Sequence, residues 1–189
     1  MTAPDEHLRA DAVRNRAALL DAAADVLATT PEASLAEVAN RAGLARATLY
    51  RHFESRDALL DAIQAEALER ASAALAGAGL PDCDTREGLR RAGAALVPLG
   101  MRFRILLTEG SDTDPEFLAA RNRTLAPLLA LLERGQATGE ISPTASTPWL
   151  GLVLAGLLMT TVRAAAAGLV DPGDAGELVA AAFLDGFGA

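Results

Sequence analysis

Between Ser34 and Phe53 the chain has room for two short helices joined by a tight turn, and that pair constrains the fold more than any other stretch. Pro31 keeps the residue before it out of helical geometry and so ends whatever helix precedes it. Ser34 then opens S-L-A-E, a capping box in which the Ser34 side chain and Glu37 satisfy each other's free backbone amides. The helix so begun runs through Val38 and Ala39 and stops at Ala42–Gly43, where glycine can take the left-handed geometry that closes a helix. A second short helix, 46–52, follows almost at once. Leu35, Val38, Leu44, Leu49 and Phe53 are the apolar positions that pin the pair down, which leaves Arg46, Thr48, Tyr50, Arg51 and His52 for the outside. Two short helices around a glycine turn make a helix-turn-helix, whose second helix lies in the DNA major groove. By itself the arrangement is also common in helical proteins that never meet a nucleic acid.

Charge separates the two readings. Arginine recurs at 41, 46, 51 and 56, and Glu54 is the only acid between 40 and 56, so this window carries +3 in a chain whose formal net charge is −8. A local reversal of that sign is what a phosphate-binding face needs. Ala45 and Ala47 are small and would let the amino end of the second helix approach a DNA backbone closely, where its dipole favours phosphate.

The rest of the chain also reads as helix. Val13, Ala17, Leu20, Ala24 and Leu27 line one face of a helix over 11–30. Ser55 caps a long helix over 55–76 with Leu59, Leu60, Ile63, Ala67, Ala71 and Ala74 inward. Residues 77–85 gather glycine, proline and aspartate, a linker between two bodies. Further helices are expected over 85–97, 100–109, 115–138, 146–168 and 173–187. The fold class is therefore all-α: an N-terminal three-helix DNA-binding domain over 1–54 (with a tail, 1–10), and a larger helical body over 55–189 that begins with the connecting helix 55–76.

Composition agrees and excludes. Half of the chain (51%) is hydrophobic but only 4% is aromatic, so alanine and leucine dominate, and these favour helices. Its basic residues are 17 arginines and no lysine, which removes Walker-type phosphate loops and Schiff-base or Ser-Lys chemistry. The two histidines, His7 and His52, lie in the tail and in the helix-turn-helix; no Cys/His spacing suggests zinc and no nucleophile elbow appears. No enzyme, no cofactor and no metal are expected. Cys83 is the single cysteine and fits a reducing cytoplasm. The uncharged stretch 149–162 is too short for a membrane span, which needs about 20 residues; no membrane partner is expected.

The run AEVANRAGLARATLYRHFESRDALLDAI resembles the DNA-binding domain of the tetracycline-repressor (TetR) family of bacterial transcription regulators. The likeness rests on A-G at the turn, T-L-Y-x-H-F in the second helix and the following S-[basic]-x-x-L-L, and covers about residues 11 to 65. It implies DNA contacts from Ser34, Arg46, Ala47, Thr48, Tyr50, Arg51, His52 and Arg56. Tyr50 and His52 would touch the phosphate backbone, and Arg46 and Arg51 stand at variable positions suited to reading guanine. Two residues depart from the family pattern: Ala45 stands where serine is frequent, and Arg56 where lysine is usual.

The resemblance further implies a homodimer on palindromic double-stranded DNA and release by a small-molecule inducer of unknown identity. The dimer surface would come from the last two helices, with Leu150, Leu154, Leu157, Leu158, Val162, Leu178, Val179 and Phe183. Candidate pocket residues are Met101, Phe103, Leu106, Phe117, Arg121, Trp149, Met159 and Arg163, a mostly apolar set. The function expected is a ligand-responsive repressor in the cytoplasm. The alternatives are an activator, or a ligand-binding or interaction module of the same fold that has lost DNA binding.

Overall fold

A computed structural model describes residues 3–105 and 115–189, with side chains from Arg16 onward. Among these residues there are eight α-helices and no β-strand. They are α1 (Ala3–Thr29), α2 (Leu35–Arg41), α3 (Arg46–His52), α4 (Arg56–Gly77), α5 (Thr85–Arg102), α6 (Pro115–Thr138), α7 (Thr147–Ala166) and α8 (Ala175–Phe187). A short 3-10 turn, Leu80–Asp82, separates α4 from α5.

The helices fall into two compact units. The first runs up to Glu66, inside α4, and takes in the chain again from Arg102. Its core is built from α1 (Leu20, Ala24, Leu27), α2 (Leu35, Val38, Ala39), α3 (Leu49), Phe53 and the start of α4 (Leu59, Leu60, Ile63), all buried. The returning segment adds buried Phe103 and Ile105 to the same unit. Arg102 also clamps Asp21 of α1 with two contacts, of 2.9 and 2.6 Å. A planar guanidinium on a carboxylate in this paired fashion fixes orientation as well as charge.

The second unit holds Ala67–Met101 and the chain beyond the second crossing. Here α6 packs on α7 and on the 3-10 turn, and α7 packs on α8. Leu75, Leu80, Leu89, Val97, Leu131, Leu132, Leu150, Leu154, Val179 and Phe183 are buried at its centre. Helices α5 and α8 meet through glycine. A Cβ on Gly93 would stand 3.0 Å from the Gly176 Cα, and one on Gly176 would stand 2.5 Å from the Arg90 carbonyl oxygen. Short contacts also hold the loops of this unit. The Gln136 amide donates to the Ser142 and Ala145 carbonyls at 3.1 and 2.8 Å, while the Thr85 amide donates to Glu140 at 2.8 Å.

Two helices differ from the sequence expectation. The break expected between 97 and 100 is absent, because α5 runs on through Pro98 to Arg102. Proline costs that helix one backbone bond, but Gly100 lies so close to Val162 that its missing Cβ would be 2.5 Å from a Val162 methyl, so the packed helix persists. Of the helix expected over 100–109, residues 100–102 are the end of α5, residues 103–105 form a turn, and the part beyond 105 lies outside the described residues. At the other end of the chain α1 begins at Ala3 rather than at 11.

Candidate nucleic-acid interface

The two short helices are set by their ends. Ser34 is the N-cap of α2: its Oγ accepts from the Glu37 amide at 3.3 Å, and the Glu37 carboxylate accepts from the Ser34 amide at 2.9 Å. The Ser34 hydroxyl also donates to that carboxylate at 2.8 Å. These bonds, the backbone one first, hold Glu37 below the usual carboxylate range. Gly43 closes the helix at φ 67°, with the Leu44 amide on the Ala39 carbonyl at 2.9 Å and the Gly43 amide on the Asn40 carbonyl at 3.3 Å. That is the paired bonding of a Schellman turn. Nothing lies within 4 Å of a Cβ at Gly43, so the backbone angle, not space, requires glycine there.

α3 then presents one face outward. Arg46, Ala47, Tyr50 and Arg51, at positions i, i+1, i+4 and i+5, are all exposed, and Tyr50 keeps 51% of its surface open. His52 is exposed and Thr48 half-buried, side by side on the flank. On the opposite side Leu49 and Phe53 are buried, and the His52 ring stands 6.1 Å from that of Phe53. Among the described residues neither Arg46 nor Arg51 is drawn into an ion pair. Ala45, at the N-cap of α3, provides no side-chain cap.

The other two arginines of the basic window turn away from that face. Arg56, half-buried at the start of α4, donates to the Pro31 carbonyl, and Arg41 donates to the Thr30 hydroxyl. Arg56 was expected to contact DNA; its guanidinium reaches the turn between α1 and α2. Ser34 is exposed, but its hydroxyl is engaged with Glu37.

Seven of the eight residues expected to line a pocket lie among the described residues. Phe103 is buried in the first unit, Leu106 lies outside the described residues, and Met101, Phe117 and Arg121 are half-buried in the second. Trp149, Met159 and Arg163 are exposed on α7, with the Trp149 ring edge-on to Phe187 at 5.4 Å. A groove of about 500 Å³ in the second unit is lined by other residues, among them Leu68, Glu69 and Ser72 of α4 and Arg123 and Thr124 of α6.

The residues expected at a dimer surface divide. Leu150, Leu154, Leu158, Val162, Val179 and Phe183 are buried in the unit's own core; Leu157 is half-buried and Leu178 exposed. What α7 leaves open is its opposite face, with Trp149, Leu152 and Met159 spaced as neighbours around Gly156. By length and composition α7 is apolar enough to cross a membrane, and 33% of its most apolar window is buried inside the chain. No cluster of three or more metal-ligating side chains occurs among the described residues.

Comparison with known proteins is consistent with this geometry. The family model for bacterial regulatory proteins of the TetR family matches residues 19–63, which span the end of α1, the helix-turn-helix and the start of α4. The HTH-type transcriptional repressor LfrR of Mycolicibacterium smegmatis is 35% identical over 107 residues, 56% of this chain and 57% of that protein's length. The crystal structure of LfrR in complex with proflavine superposes with a TM-score of 0.76 at 25% identity, covering 92% of this chain and 96% of that one. The TetR-family regulator PfmR of Thermus thermophilus gives a TM-score of 0.69 at 27% identity over 87% of this chain and 91% of its own. A helix-turn-helix with this closure, an outward basic face and a matching segment in register converge on one likeness: residues 19–63 are similar to the DNA-binding segment of bacterial regulatory proteins of the TetR family, and the fold is similar to that of solved TetR-like regulators.

Proposed function

We propose that the chain is a DNA-binding transcriptional repressor that grips a palindromic operator as a homodimer and lets go when a small molecule binds its larger unit. The observation that carries the proposal is the outer face of α3, where Arg46, Tyr50 and Arg51 stand exposed on a helix whose other side is anchored by Leu49. Arginine pairs with the two acceptors of guanine, while the tyrosine hydroxyl suits a phosphate. Repression is favoured over activation by the name of the relative LfrR.

Dimerisation uses the open apolar face of α7, with Trp149, Leu152 and Met159, together with Leu178 of its packed neighbour α8. Contiguous apolar surface of this kind marks a contact site. An inducer of the proflavine type, a planar aromatic cation, is suggested by the complex formed by LfrR. On this reading the protein is cytoplasmic and catalyses nothing.

The test is fluorescence anisotropy on a labelled mixed-sequence 30-base-pair duplex at low salt. The unmodified protein should bind, and the double substitution Tyr50→Ala, Arg51→Ala should lose most of that binding while keeping its melting temperature. Equal binding by both proteins would place DNA recognition elsewhere or nowhere. Addition of proflavine should raise the melting temperature and lower DNA affinity together. A rise in melting temperature without loss of DNA affinity would remove the inducer role.

A further inference from the structure

The basic window of the helix-turn-helix contains four arginines at five-residue intervals, and the structure divides them in two. Arg46 and Arg51 are exposed on α3. Arg41 and Arg56 instead reach the same short turn from opposite sides: Arg41, at the end of α2, donates to the Thr30 hydroxyl, and Arg56, at the start of α4, donates to the Pro31 carbonyl. This turn sets where α2, and with it α3, leaves α1. Within it the Ala33 amide donates to the Thr30 carbonyl at 3.0 Å and the Thr30 amide to the Val26 carbonyl at 2.9 Å.

The placement of Arg56 is informative because a cation in the first turn of a helix opposes the helix dipole. Ser55 already caps that turn, its Oγ accepting from the Ala58 amide at 3.1 Å, so the arginine is not needed there for capping. Its half-buried guanidinium reaches a residue 25 positions away in sequence, donating to the Pro31 carbonyl, an acceptor that lies between helices. A charged donor on a carbonyl is among the stronger single hydrogen bonds, and a rigid fork loses less freedom in making it than a lysine would.

We infer that Arg56 is a positioning residue for DNA recognition: it ties the α1–α2 turn to α4 and so fixes the angle at which α3 is offered, without itself contacting phosphate. The inference rests on the DNA-binding reading above. It also divides the basic window by role, with Arg46 and Arg51 carrying the DNA contacts and Arg56 carrying geometry.

Phosphate contact and positioning leave different signatures. A phosphate contact contributes about 0.9 to the slope of log affinity against log salt, so removing one lowers the slope. A positioning residue lowers affinity at every salt concentration and leaves the slope alone. The experiment is a salt series on the mixed-sequence 30-base-pair duplex with the full chain, its Arg56→Gln variant and its Arg51→Gln variant, with amide exchange of the free proteins measured alongside. For Arg56→Gln the expected result is about tenfold weaker binding at unchanged slope, with faster exchange of the Ala33 amide before any DNA is added. For Arg51→Gln, which removes a direct contact on α3, binding should weaken with Ala33 exchange unchanged.

A slope lowered by Arg56→Gln with Ala33 exchange unaltered would make Arg56 a phosphate contact and overturn the inference. Faster exchange with DNA affinity untouched would reduce Arg56 to a purely structural tie and overturn it equally. If the unmodified protein shows no salt-dependent binding, the DNA-binding reading itself fails and the inference falls with it, a result distinct from either of these. Should Arg56→Gln not fold, Arg56→Lys replaces the fork by a single donor group; faster Ala33 exchange with weaker binding at constant slope is again expected, and unchanged exchange would overturn the assignment.

Discussion

The α2–α3 pair and the α7–α8 pair are both neighbouring helices with one surface left exposed, but they are built by opposite means. In α2–α3 only a few side chains are buried, and the helices are seven residues each, so their ends decide the structure: Ser34 with Glu37 at one end and Gly43 at the turn. In α7–α8 the helices are 20 and 13 residues of nearly continuous apolar sequence, and packing decides everything. The polar pair announces which side faces out, because charge and apolar groups segregate around the helix. The apolar pair does not, because a helix that is hydrophobic all round gives no contrast between its core side and its partner side.

That contrast can be broken most forcefully on α7. Leu154→Ala empties a buried site and should cost about 2–5 kcal/mol in chemical denaturation. Leu152→Ala, two residues earlier on the open face, should change the stability of the monomer by no more than about 0.5 kcal/mol. If the open face pairs two copies as proposed, Leu152→Asp should give a monomer in analytical ultracentrifugation while leaving the far-UV spectrum intact. Similar unfolding costs for Leu152→Ala and Leu154→Ala would erase the distinction between the two faces.

On α3 the expected effects are smaller and concern preference. Arg51→Ala should remove about 1–3 kcal/mol of discrimination between cognate and scrambled duplexes, whereas Tyr50→Ala should weaken both alike. Competition binding measures this directly, and identical losses on the two duplexes for Arg51→Ala would place that arginine on phosphate. Next come the helix ends. Gly43→Ala must hold a φ of 67° with a Cβ, costing about 1 kcal/mol even though no atom obstructs it. Ser34→Ala should likewise cost about 1 kcal/mol. Thermal melts resolve both.

The smallest effect is the dependence on acid. Glu87 is held down to about 2 from an ordinary 4.5 by its hydrogen bonds to Arg90 and then Arg91. A carboxylate depressed on folding adds stability above its ordinary value and loses that contribution as pH falls toward the folded one. The melting temperature of the unmodified chain should therefore fall faster between pH 5 and 2 than that of Glu87→Gln. Because these groups stay partly open to solvent, the difference should be modest and should shrink with added salt.

Much of the first unit was legible in sequence because its determinants are local. The capping box at Ser34–Glu37, the glycine closure at Gly43 and the burial of Leu49 and Phe53 each follow from a few adjacent residues. Arg56 was not legible: its partner, Pro31, lies 25 residues away and offers a backbone atom, so no side-chain pattern marks it. The continuation of α5 through Pro98 was hidden for a related reason, since the close Gly100–Val162 contact that supports it is tertiary. On α7 the 3-4-3 spacing of Trp149, Leu152, Gly156 and Met159 was present in the sequence. The buried series Leu150, Leu154, Leu158 and Val162 has an equally regular spacing, and only packing tells the two stripes apart.

Selection of bound sequences from a random duplex pool asks for DNA recognition and two-fold symmetry at once, the two properties on which a dimeric repressor stands. The unmodified chain should enrich a palindrome whose half-site centres lie about 34–36 Å apart, one helical turn or a multiple of it. The Tyr50→Ala, Arg51→Ala variant should enrich nothing. An unmodified chain, freed of any co-purified ligand by unfolding and refolding, that enriches no sequence, or enriches one without two-fold symmetry, would contradict a dimeric, operator-binding repressor.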